Sequence, residues 1–184
     1  MITSKSIVLK IFFSLLVLLF AIRPVQAQQK IQAGVELDAL PYLTGGYFGA
    51  VWAGKGHMRA RLLYAKVHMP KFMVPAGFSG NTVRSVALMA DYFLKKKLTG
   101  FWLGSGVVYW DGTLRANEQT ASYHTYLLNG SMGYAVNLSK RFYLSPWAGL
   151  SFRLGGDQNI RTGGETYRAP FLNPELSLKF GYRF

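Results

Sequence analysis

Cysteine is absent from all 184 residues, which excludes disulfides, thiolate metal sites and a lipid-modified cysteine anchor. Acids are scarce, with 8 Asp and Glu against 21 Lys and Arg, and histidine occurs only as His57, His68 and His124. Phosphate-cradling loops, dinucleotide fingerprints and cysteine metal motifs are all missing. After residue 27 no apolar run approaches the ~18–20 residues of a spanning helix, yet hydrophobic residues make up 50% of the chain and aromatics 15%. Another form must hold that hydrophobicity. Transmembrane strands need only ~9–11 residues each with alternate positions apolar, and so escape a hydropathy profile.

What is present begins with an export signal. Lys5 and Lys10 precede an uncharged run, Ile11 to Ile22, and Val25-Gln26-Ala27 supplies a cleavage-site pattern. The reading is a cleaved signal peptide at 1–27 and a single domain at 28–184; a membrane-anchoring helix is the alternative, but the run is too short for one. Lys5, Lys10 and Arg23 lie in the leader, leaving 18 basic and 8 acidic side chains, a net +10. A basic cytosolic protein would suggest nucleic acid. Export excludes that partner and points to outer-membrane lipids and possibly lipopolysaccharide, or to a basic surface kept for solubility.

The chain from residue 31 alternates apolar and polar positions in eight segments, each the period of a strand. They are expected at 31–39, 46–53, 57–68, 83–95, 99–110, 121–137, 141–154 and 172–184. Pro41–Gly45 and Gly54-Lys55-Gly56 carry turn chemistry. Met69–Thr82, Asp111–Thr120 and Gly155–Ala169 are expected as long connections. The first of these is apolar for a loop; Phe72, Met73, Val74 and Phe78 are placed to fold over a barrel mouth, dip into lipid, meet a partner or pack on neighbouring loops. After the first connection, short and long links alternate. Lys55, Lys95, Lys96, Lys97, Lys140 and Arg141 gather at the short ones without an acid among them.

The last strand is the most regular. Leu172, Pro174, Leu176, Leu178, Phe180, Tyr182 and Phe184 alternate with Asn173, Glu175, Ser177, Lys179, Gly181 and Arg183. The mature chain thereby resembles the small eight-stranded outer-membrane β-barrels of the OmpA/OmpX type. The resemblance implies an all-β, antiparallel up-and-down transmembrane barrel with short periplasmic turns and longer extracellular loops, working as a monomer. It also implies that the barrel-assembly machinery reads Leu176, Leu178, Phe180, Tyr182 and Phe184. The further alternative is a soluble lipocalin-like binding barrel, which needs its apolar face inside.

An eight-stranded barrel is just wide enough to be filled by side chains. With polar faces inward, Glu36, Asp38, Asp91 and Glu175 meet Arg59, Arg61, Arg153 and Lys179, and an internal ion-pair network is expected. A proton relay or solute site is the alternative use of these charges. Gly34, Gly104, Gly106 and Gly149 are expected to make room for Trp102, Trp147 and Tyr143, which otherwise line a lipid-tail or ligand pocket. No catalytic residue, cofactor or metal is assigned, and the expected role is structural, adhesive or surface-interacting through the loops. The runner-up is a lipid-modifying enzyme: Ser122 and His124 share a strand face, with Glu118 as a guessed orienting acid. The pair is similar to that of the outer-membrane lipid A deacylases, but in reversed order. His68, His124 and Asp111 lie near one rim without metal-ligand spacing.

Overall fold

The computed structural model describes residues 30–184. The expected leader at 1–27 lies outside the described residues. Eight strands close into one antiparallel barrel: β1 (Gln32–Asp38), β2 (Tyr47–Lys55), β3 (Met58–His68), β4 (Gly80–Lys95), β5 (Thr99–Ala116), β6 (Gln119–Asn137), β7 (Phe142–Gly156) and β10 (Leu172–Arg183). Each pairs with its chain neighbour, and β10 closes the ring on β1. Closure leaves no barrel edge without a partner strand, the condition for a sheet surrounded by hydrocarbon.

The register can be followed around the ring. Tyr182 lies opposite Val35, and the row continues through Val51, Leu62, Leu88, Val107, Leu128 and Phe152 to Leu172. The row leaves β10 at residue 182 and returns to it at residue 172. That stagger is the strand tilt needed to close a narrow barrel. Every residue on this row is apolar, and it faces outward: Leu62 is 52% exposed and Leu88 58%. Charged residues take the other face, with Glu36, Asp38, Arg59, Arg61, Asp91 and Lys179 all buried. The apolar face is therefore outside, the reverse of what a soluble lipocalin-like barrel requires.

Four expected boundaries are revised. Pro41–Gly45 carries turn chemistry, but Ala39–Leu43 forms a short helix, α1, capped by Asp38 accepting from the Leu40 N–H at 3.3 Å. Proline suits the first turn of a helix, where its missing N–H is not needed. Asp111–Thr120 is not a long connection. β5 and β6 run through it to a two-residue turn at Asn117 and Glu118, both at positive φ (44° and 63°). At 18 and 19 residues these strands are nearly twice the ~9–11 that a bilayer needs. Gly155–Ala169 contains a separate hairpin, β8 (Asn159–Thr162) with β9 (Glu165–Arg168). Met69–Thr82 holds a 3-10 turn at Lys71–Met73 and gives Gly80–Thr82 to β4.

The wall is consequently uneven. It is tall at β4 to β7 and low at β1, which has 7 residues. β1 pairs β10 only as far as Asp38 with Lys179, and β2 only as far as Glu36 with Ala50. α1 sits at that low side, against β10, β2 and β3.

Candidate functional site

The barrel interior is layered. Its floor, toward the short turns, is built on two arginines that alternate on β3 and so share one face. Arg59 Nη1 donates to Glu36 Oε1 at 2.7 Å and Arg59 Nε to Asp91 Oδ2 at 2.8 Å. Arg61 grips Asp91 through Nε and Nη2, both at 2.7 Å, and reaches Glu36 at 3.4 Å. The Tyr143 hydroxyl donates to Glu36 Oε1 at 2.7 Å. Aromatic rings enclose these ions, with the Arg59 guanidinium 4.9 Å from the Phe93 ring centroid and that of Arg61 5.1 Å from Trp102. Trp52, Phe93, Leu98, Trp102 and Tyr143 pack as one buried cluster. Such a cluster of paired ions costs desolvation energy and is tolerated because its charges are matched and hydrogen-bonded.

A second group stands beside it. Asp38 accepts from Trp147 Nε1 at 2.7 Å and from the Ser177 hydroxyl, and lies 3.9 Å from Lys179 Nζ, which sits 3.4 Å above the Trp147 ring. Six of the eight interior charges expected from the sequence are thus brought together in two groups. Glu175 is inward but held by hydroxyl and amide donors, Ser151 at 2.7 Å and Asn129 at 3.4 Å. Arg153 is inward and makes no ion pair among the described residues; its Nε is buried without a partner. Arg183, which alternation also places inward, was missed. It donates to Asn137 Oδ1 at 2.7 Å and to the Leu98 carbonyl, and lies 4.5 Å from the Tyr143 ring centroid.

The glycine positions differ in detail from expectation. A Cβ on Gly149 would meet Trp147, and one on Gly104 would meet Asp91, Ser131 and Trp102. Gly34 instead faces Trp52, Gly106 faces Met89, and the slot for Tyr143 is provided by Gly181. Alternation marks an inward position but not which ring leans over it.

Above the barrel the loops form their own core. Val83, Leu114, Tyr123, Ile160, Tyr167 and Ala169 are buried together, with Met69 and Phe78 packed on them. The β8–β9 hairpin is tied to the tall wall by Asn117 Nδ2 to the Gly163 carbonyl at 2.7 Å and by the Gly163 N–H to Gln119 Oε1 at 3.1 Å. Burial in this layer pushes the Tyr167 phenol up from its ordinary range. The apolar residues Met69 and Phe78 of the second loop are spent on neighbouring loops, while Met73 is exposed.

Ser122 and His124 lie on the outer face of β6 and are exposed. His124 Nε2 is 3.7 Å from Asp157 Oδ2, whose carboxylate also accepts the His124 N–H at 2.9 Å. Glu118, the guessed orienting acid, sits at the β5–β6 turn instead. His68 bonds the Thr82 hydroxyl at 2.9 Å, and among the described residues no cluster of three His, Asp or Glu side chains could hold a metal. The closing-strand residues Leu176 (74% exposed), Phe180 and Phe184 project outward, and Tyr182 packs edge-on against Phe142 and Phe184.

No protein-family model matches the sequence, and no curated protein matches it. Among solved structures the chain is similar to Neisserial surface protein A (NspA), at 11% identity and a TM-score of 0.56, covering 84% of this chain and 96% of that one. At such identity the likeness is one of architecture, and together with the ring of strands it gives this chain the fold of a small eight-stranded outer-membrane β-barrel.

Proposed function

We propose that this protein is an integral outer-membrane barrel that does not conduct solutes and that acts through the layer of loops it holds above the membrane. The observation that carries the reading is the combination of a continuous outward apolar row on all eight strands with a charge-paired aromatic floor inside. The apolar row suits hydrocarbon and the filled floor leaves no aqueous path. Short turns then face the periplasm and the loop core faces outward, as in barrels of this architecture.

The partners are lipids on both sides. Lys55, Lys95, Lys96, Lys97, Lys140 and Arg141 are exposed at the turn end, where anionic phospholipid headgroups would neutralise them. At the loop end Lys66 lies directly opposite Arg84, and Arg84 is 3.8 Å from Asp111. Tyr64, Tyr109 and Tyr126 lie one outward step below them along β3, β5 and β6. Like charges opposite one another across a ladder repel, so a phosphate of lipopolysaccharide is a fitting counterion. The barrel works as a monomer without a catalytic group, cofactor or metal.

The experiment is recovery of the mature chain with and without detergent, combined with planar-bilayer recording. Dependence on detergent, heat-modifiable gel mobility and an absence of stepwise conductance are expected. Full solubility in buffer, or large stable conductance steps, would overturn the reading.

A further inference from the structure

Between the floor and the loop core the barrel interior is less tightly closed, with Trp147 packed on the floor, Trp110 on the loop core and Leu63 on a small cluster of Phe48, Ala50 and Ala65. One inward rung runs Ala50, Leu63, Ala87, Val108 and Leu127 and ends on Arg153. Five apolar side chains are followed by a guanidinium. Ala50, Ala87 and Leu127 are buried, whereas Leu63, Val108 and Arg153 are only half-buried, as are the inward residues Trp110, Trp147, Asn173 and Glu175. The half-buried positions concentrate on β3, β5, β7 and β10. β3 and β10 lie toward the low side of the wall, while β4 and β6 positions beneath the loop core are closed off.

The polar end of this rung is short of partners. Thr125 and Asn129 are each 3% exposed and Ser131 8%, yet Thr125 Oγ1, Asn129 Oδ1, Ser131 Oγ and Arg153 Nε have no hydrogen-bond partner. All four belong to the adjoining inner faces of β6 and β7, where Leu127 is opposite Arg153 and Asn129 is opposite Ser151. Buried polar atoms left unpaired cost free energy, and a guanidinium without a carboxylate costs more. Arg59 Nη2 and Arg183 Nε are orphaned too, but Arg59 binds two carboxylates and Arg183 an amide and a carbonyl oxygen, whereas the Arg153 side chain makes no hydrogen bond among the described residues.

We propose that this upper interior is a binding site for a single-chain amphiphile with an anionic head, a carboxylate or a phosphate monoester. The head is held by Arg153 with the hydroxyl of Thr125, two residues along β6 from Leu127, the residue opposite Arg153, and the alkyl chain lies along Leu63, Val108 and Leu127. Arg guanidinium is the side chain best matched to both oxyanions, and the apolar rung supplies the burial that a hydrocarbon chain needs. The site goes beyond a role for the loops and does not depend on it.

The test uses the tryptophans. Among the chain's 4 tryptophans, Trp52 and Trp102 are in the floor and Trp110 and Trp147 are inward and half-buried. Brominated alkyl chains dissolved in the surrounding micelle are therefore screened from them by the wall. The full mature barrel, folded in maltoside micelles, is titrated with 12-bromododecanoate, 12-bromododecyl phosphate and the neutral 12-bromododecanol. Saturable quenching by either anion is expected, with the alcohol weaker by about tenfold or more, the value of a charge-assisted hydrogen bond. The two anions separate a fatty-acid source from a phosphorylated one. Arg153→Gln should raise the midpoint for the anions about tenfold and leave the alcohol unchanged. Leu63→Asn should weaken all three. If Arg153→Gln does not fold, as judged by heat-modifiable mobility, the comparison of anion with alcohol and the Leu63 variant decide. Quenching that never saturates, or is equal for anion and alcohol, overturns the proposal and assigns the orphan groups to ordered water only.

Discussion

Arg61 closes a two-pronged contact on Asp91, Nε to Oδ2 and Nη2 to Oδ1, each at 2.7 Å, with both side chains shielded from solvent. Asp91 is simultaneously the acceptor for Arg59 at 2.8 Å. One carboxylate on β4 thus anchors two guanidinium groups on β3.

Asp91→Ala should therefore be far more damaging than its size suggests, because it leaves two buried cations short of a counter-charge. A loss of about 3–5 kcal/mol is expected, measured by urea unfolding of the barrel in lipid vesicles. Replacing Arg61 with Met in the same chain should recover part of that loss, and a double-mutant cycle over the two positions measures the coupling.

The outward row makes a separate prediction. Leu88 stands between Leu62 and Val107 at the middle of the apolar belt. Leu88→Arg should destabilise the folded barrel in vesicles by about 2–4 kcal/mol, the cost of a cation at the bilayer midplane. The same change at exposed Thr113, on β5 beyond the tyrosine row, should have little effect.

Ser122 and His124 share the outer face of β6, and the acid beside His124 is Asp157. Ser122→Ala and His124→Ala should both leave lipid A acylation unchanged when assayed by mass spectrometry of extracted lipid. Loss of acyl-chain release in either variant would promote the enzyme reading.

The Phe184 ring projects outward, 80% exposed, edge-on to Tyr182, while its N–H donates to the Ala33 carbonyl at 3.0 Å. Deleting it should leave the unfolding free energy of the assembled barrel within about 1 kcal/mol of the parent, as for changes away from the core. The fraction assembled in cells should nevertheless fall, measured as heat-modifiable protein in outer-membrane fractions. Equal assembly would show that the terminal aromatic is not read.

Much of this architecture is legible in the residues because a strand's faces follow directly from alternation. Leu172 to Arg183 shows its outward and inward sets without any partner being known; its neighbours in the ring are β1 and β7. Asp111–Thr120 misled because its residues become polar where the wall leaves the hydrocarbon. Polarity there marks the end of the lipid belt, while the backbone continues pairing from Asp111 opposite His124 to Ala116 opposite Gln119. Pro41 misled in the opposite sense, since the same residue that breaks a strand is welcome in a helix's first turn.

The interior charges divide along the same line. That Arg59, Arg61, Asp91 and Glu36 face inward follows from the two-residue repeat of each strand, a local property of the chain. Which carboxylate each guanidinium meets is set by the stagger of the closed sheet, and so is the isolation of Arg153 at the end of an apolar rung. Stagger belongs to no single strand: it is a sum over eight pairings, fixed only when β10 closes on β1. Local alternation sets the two faces of each barrel strand and the hydrophobic belt; how far the strands run, who pairs with whom inside and what is left without a partner follow only from closure of the ring.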